Sequence, residues 1–226
     1  MNKKLGKRIA AAFSCAALLS FGAAQAADEP ASLDADEVTY NMESGEAVAE
    51  GNVLMKRGAS AVTGAKATYN AKTMEGTVEG GVIAVHGATR LTCSFIRSDG
   101  NGHYFAQGSV RGTQEDKTFS GERVDYYPNQ NEYVLIASGG TLTSADGTFT
   151  ADRLEGWLND EHYIGTGSAH LVSPPRSLEA GGDRLDYYGK ENGKAVLTGN
   201  AWAYQGNNTM RGNRLTLYLA NDGATK

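Results

Sequence analysis

The acids and imidazoles of this chain are the side chains best suited to chemistry, and their spacing decides what kind. Asp36, Asp125, Asp152, Asp183 and Asp186 are the candidate acids for hydrolysis. Cleaving a sugar bond needs one dedicated pair of carboxylates on a shared face. These aspartates instead recur at matching places of a repeated segment, which puts them in turns or on outward strand positions. His86, His103, His162 and His170 lack metal-ligand spacing. Gly-x-Ser-x-Gly, His-Glu-x-x-His and phosphate-loop patterns are missing. Gly181-Gly182-Asp183 lacks the following glycine of a calcium nonapeptide. The reading is therefore not an enzyme, with no catalytic residue, no cofactor and no metal site expected. Lys56, Arg57 and Arg90 read as surface charges, with contact to phosphate groups as the alternative.

The elements that carry these residues repeat. Each unit has a short alternating strand, usually a Tyr, a polar turn, a second strand and then Gly. Tyr40, Tyr69, Tyr126, Tyr187 and Tyr218 mark the first strands. Gly51, Gly80, Gly108, Gly139, Gly167 and Gly199 follow the second strands at intervals of 28 to 32 residues. A period in this range means stacked supersecondary units with one continuous core. The third unit, Leu91 to Val110, is irregular and lacks the Tyr. Helix-period segments are nearly absent beyond the N-terminal segment, and Val, Thr, Tyr and Leu alternate with polar residues, so the class is all-β.

One hairpin per unit predicts about 13–15 antiparallel strands. Gly-Asn and Gly-Gly steps at Gly51, Gly80, Gly139 and Gly199 allow bulges that turn each strand from one sheet to another. The result is a folded-over sandwich of two facing sheets. Alternation places Val38, Val62, Phe119, Val124, Phe149, Leu154, Leu185 and Leu215 on the inner face, and Thr39, Glu122, Arg123 and Arg184 in water. A stack of this kind has an open edge at each end, which favours strand addition to a neighbour.

Residues 1–26 read as a secretory signal peptide: a basic start at Lys3, Lys4, Lys7 and Arg8, an apolar run from Ile9 to Phe21, and Ala24-Gln25-Ala26 as the cleavage site. The apolar run is short for a membrane span. Cleavage after Ala26 leaves residues 27–226 as one domain and shifts the net charge from −5 to −9, since four cations and no anions are removed. That acidity argues against nucleic acid as a partner. Cys93 alone remains of the two cysteines, so no intrachain disulfide forms, and it reads as a small buried apolar residue.

Two segments resemble a known family. Asp34-Ala35-Asp36-Glu37-Val38-Thr39-Tyr40 with Ala49-Glu50-Gly51-Asn52-Val53 resembles the opening of OstA-like (organic-solvent-tolerance-like) domains. Ala195 to Trp202 with Met210 to Leu215 resembles the closing part of the family's periplasmic lipopolysaccharide-transport bridge proteins. The resemblance implies a β-jelly-roll folded like a taco, with an apolar groove that shields lipopolysaccharide acyl chains. The eight inner-face residues named above are the lipid-groove candidates. It also implies a periplasmic location, end-to-end joining with other OstA-like domains by edge-strand addition, head-to-tail homo-oligomers, and a bridge from inner to outer membrane. The alternatives are a membrane-anchored partner in the same complex, with the apolar run retained, or a structural or adhesive β-repeat protein.

Overall fold

Three polar turns of the repeat close their hairpins through their own side chains. Asn41 Oδ1 accepts the backbone N–H groups of Glu43 and Ser44, and Asn70 Oδ1 accepts those of Lys72 and Thr73. Asp99 Oδ1 does the same for Asn101 and His103. Such Asx turns fix the strand register locally. In the computed structural model, which describes residues 31–189 and 193–219, these hairpins assemble a single antiparallel meander. The signal-peptide reading lies outside the described residues.

The strands are β1 (Ala31–Asp34), β2 (Glu37–Asn41), β3 (Glu46–Arg57), β4 (Ser60–Asn70), β5 (Glu75–His86), β6 (Thr89–Asp99), β7 (Tyr104–Gln114) and β8 (Lys117–Tyr127). They continue as β9 (Tyr133–Ile136), β10 (Gly140–Ser144), β11 (Gly147–Ala151), β12 (Arg153–Trp157), β13 (His162–Ser173), β14 (Leu178–Tyr188), β15 (Lys194–Gln205) and β16 (Asn208–Tyr218). Ten strands are long. The other six are halves of three positions broken at a corner: β1 with β2, β9 with β10, and β11 with β12. Sixteen segments thus occupy 13 positions, in line with the repeat.

Hydrogen bonding is continuous through one 16-stranded sheet, and the two facing layers are its halves. A line of register shifts forms the crease, for example between Glu50 and Val53, Gln107 and Val110, and Thr198 and Ala201. At most corners two consecutive residues have positive φ, as at Gly51 and Asn52 or Gly199 and Asn200. The third unit, irregular in sequence, forms the full-length pair β6 and β7.

Cross-strand pairing lines up the inner faces. In the first half, one row runs Val38–Ala49–Ala67–Val78–Ile96–Ala106–Val124, and beyond β8 continues Ile136–Leu154–Gly165–Leu185–Leu197–Leu215. In the second half, a matching row runs Leu33–Met55–Val62–Ala84–Leu91–Gly112–Phe119–Leu142–Phe149–Leu171–Ala180–Ala203–Met210. Apart from exposed Val38 and the glycines, both rows belong to one apolar cluster. Twelve strand-to-strand steps of about 4.8 Å make each row about 58 Å long.

Candidate functional site: an apolar trough between two half-sheets

The interior grades in polarity from crease to rim. Next to the crease the first-half row is aliphatic. One step towards the rim, the residues at the same register are rich in tyrosine: Tyr69 faces Gly76, Tyr104 faces Tyr126, and Tyr163 faces Tyr187. Tyr104–Tyr126 and Tyr163–Tyr187 have ring centroids 6.3 and 6.2 Å apart. Burial above all raises the phenol pKa values of Tyr126 and Tyr163, so these rings stay neutral. An aliphatic floor with a phenol rim suits a ligand that is apolar at one end and hydroxylated at the other.

All eight residues named from sequence stand in the inner rows. Val62, Phe119, Val124, Phe149, Leu154 and Leu185 are buried. Leu215 is half-buried against the core. Val38, on the edge strand β2, is 48% exposed: it pairs with inward Ala49 of β3 and has no strand beyond it among the described residues. The trough therefore runs out to both edges of the sheet. One repeat marker shifts by one residue. Leu217 pairs with inward Ala195, so Leu217 continues the inner tyrosine row, and the exposed Tyr218 belongs to the outer face.

Near the last strands the two halves meet around a cavity lined by Leu142, Phe149 and Leu171 from one side and Tyr163, Leu185 and Tyr187 from the other. Leu219 closes it. Arg176, in a short 3-10 turn (Pro174–Arg176), donates from Nε to the Leu219 carbonyl at 2.8 Å. Its Nη1 reaches Asp146 Oδ1 at 3.3 Å and Ser173 Oγ at 3.1 Å. Ser173 Oγ in turn donates to the Asp146 carbonyl at 2.7 Å. This clasp joins the far ends of both half-sheets.

The recurring acids divide into two structural groups. Asp36, Asp152 and Asp183 brace corners: Asn52 Nδ2 donates to Asp36, Ser168 Oγ to Asp152 and Asn200 Nδ2 to Asp183. Asp125 and Asp186 lie on the outer face, each held by two hydrogen bonds from Arg123 and Arg184 respectively. His103 Nε2 also meets Asp125 Oδ1 at 2.7 Å. Burial opposes the Asp125 charge, but the bonds from Arg123 and His103 outweigh it and hold its pKa below the usual value. Cys93 is buried, and burial pushes its thiol up to about 11. Among the described residues no cluster of His, Cys, Asp and Glu could hold a metal ion.

Sequence reading missed a ladder on the outer face. His103 stacks on Tyr127 at 4.4 Å, and the rings continue through Tyr133, Trp157 and His162 to Tyr188. Arg123-Val-Asp-Tyr-Tyr127 and Arg184-Leu-Asp-Tyr-Tyr188 carried the signal: of each Tyr pair, one ring points in and the next points out. Lys56 and Arg90 are exposed at strand ends, and the Arg57 side chain lies outside the described residues.

An all-β sheet folded along its own bulges, with apolar inner rows that run from one edge strand to the other, is the class of structure present. The chain belongs to the family described as LptA/(LptD N-terminal domain) LPS transport protein, which it matches over residues 32–162 and again over 98–222. The two matches start 66 residues apart (98 − 32), close to two repeat units. Among solved structures, LptH, the LptA homologous periplasmic component of the conserved lipopolysaccharide transport device from Pseudomonas aeruginosa, shares 22% identity. That similarity covers 47% of this chain and 80% of that chain, with a TM-score of 0.42. Comparison with curated proteins yields no match. No helix among the described residues is long and apolar enough to cross a membrane.

Proposed function

We propose that this protein is a periplasmic, non-enzymatic lipid carrier that shields lipopolysaccharide acyl chains in the trough between its half-sheets. In this role it bridges the inner to the outer membrane during outer-membrane assembly. The observation that carries the reading is the continuity of the two inner apolar rows from one sheet edge to the other. Each methylene left in water costs about 0.8 kcal/mol, so several acyl chains need an uninterrupted apolar path. A path of side chains at even spacing offers similar contacts at every step, and movement along it needs no local chemistry. The rim tyrosines would face the sugar end of the lipid.

The edges support the partner half of the reading. Among the described residues β2 and β16 each leave one side unpaired, and Val38, Tyr40 and Tyr218 are exposed there. A neighbouring OstA-like domain, or a second copy added head to tail, would extend both the sheet and the trough. Its basic and apolar N-terminal segment, read as a signal peptide, fits export to the periplasm.

Displacement of a fluorescent acyl probe tests the trough. The chain spanning 27–226 should bind the probe, and lipopolysaccharide should displace it, whereas its deacylated saccharide should not. Ala106→Trp and Ala180→Trp fill one row each, and either should weaken the probe about tenfold. Absence of probe binding by a folded chain would overturn the reading.

A further inference from the structure

The outer face of the second half-sheet carries an aromatic site that the trough does not use. Trp202 on β15 pairs with Gly181 on β14, and Gly181 pairs with His170 on β13. Gly181 has no side chain to fill this row, and a Cβ built there would lie 2.8 Å from the indole Cζ2. The indole therefore leans over bare backbone. Ala201 and Ala203, its chain neighbours, are buried and point inward, so Trp202 points outward.

The contrast with Trp157 is informative. Trp157 stands in the outer ladder between Tyr133, tilted by 41° at 5.0 Å, and His162, which stacks on it at 5.3 Å and 20°. The rings nearest Trp202 are tilted against it: His170 by 42° and Tyr204 by 44°. Among the described residues nothing is stacked flat on its outer face. Beside it lies a shallow hollow of about 430 Å³ bounded by Asn200, Trp202, Tyr204 and Arg211.

The rim is polar and unevenly charged. Glu179 is matched by His170, with Nε2 to Oε1 at 2.9 Å. Arg211 donates from Nη2 to the Tyr204 hydroxyl at 2.8 Å, and no acid pairs with it among the described residues. A flat apolar ring beside an uncompensated guanidinium fits a pyranose ring bearing a carboxylate. The C–H face of the sugar would cover the indole, and the acid would take the bidentate fork of Arg211. The hollow is also large enough for a sugar.

We propose that Trp202 and Arg211 form a binding site for an acidic sugar ring of a glycan chain, on the face opposite the trough. The site is independent of the lipid reading, and its test contains no acyl chain. Trp157→Phe leaves Trp202 as the sole tryptophan, because the sequence has two. Titrating that variant with glucuronic acid should change the indole fluorescence to saturation. Glucose should bind about tenfold more weakly, and Arg211→Gln should erase that preference. Trp202→Ala should abolish saturation-transfer NMR signals from the sugar, while Trp202→Phe keeps part of them and reports on a folded chain. No fluorescence response with glucuronic acid would overturn the proposal. So would undiminished transfer in Trp202→Ala, or equal affinity for the two sugars.

Discussion

Asp125 shows how a single buried charge ties stability to pH. Its folded pKa lies below the ordinary carboxyl value of about 3.9, against its burial, because Arg123 and His103 bond to the anion. A depressed folded value stabilises the fold fully above the unfolded pKa. That contribution drains away as pH falls from about 4 through the lower folded value. Asp125→Asn should therefore lower stability at neutral pH and flatten the acid limb of a urea-midpoint profile. The corners make a second test. Gly199 has φ +69, and an added Cβ would lie 2.3 Å from Asp183 Oδ2. Gly206 has φ +55 with nothing within 4 Å. Gly206→Ala should cost the about 1–2 kcal/mol of a left-handed residue alone, and Gly199→Ala distinctly more. Equal losses in chemical denaturation would contradict the clamp. The corner glycines were legible in the sequence because only a backbone demand recurs with that period. The roles of the acids were only half legible. Asp36 and Asp125 stand four residues and one residue before the repeat's Tyr, but only tertiary packing shows that one is a corner brace and the other a buried ion-pair partner.

At the scale of strands, the rows predict where side chains matter. Leu154 is fully buried in the middle of its row, and Val38 sits at the open end of the same row. Leu154→Ala should cost about 2–5 kcal/mol, and Val38→Ala no more than about 0.5 kcal/mol, by thermal or urea melts. The clasp is a further element-level device. Arg176→Ala removes the hydrogen bonds to Leu219, Asp146 and Ser173, worth about 1.5–3 kcal/mol for a charged donor. Amide exchange at Leu219 and in the β10–β11 turn should rise, with little change in β3 to β5. Uniform protection would argue against a local closure. Strand alternation predicted the inner face well, since burying one face fixes the register. It could not foresee the clasp, whose partners Asp146, Arg176 and Leu219 are joined only by the final fold. The outer ring ladder was hidden for a similar reason: its members come from β8, β9, β12, β13, β14 and the residue before β7, and meet only through cross-strand register.

For the molecule as a whole, one geometric feature governs the function proposed above. Thirteen strand positions fold over a crease and lay two apolar rows side by side for about 58 Å. The repeat made this length readable, while the single continuous sheet, in place of two separate ones, became visible only in the pairing. The most direct test is site-specific photo-crosslinking to lipopolysaccharide. A photoreactive residue is placed at inward Leu154 or Leu185, and another at outward Arg184, in the chain from residue 27 to 226. Lipid adducts should form at both inner positions and none at position 184. A folded protein that gives no adduct at either inner position, or equal adducts on both faces, would contradict the proposed function.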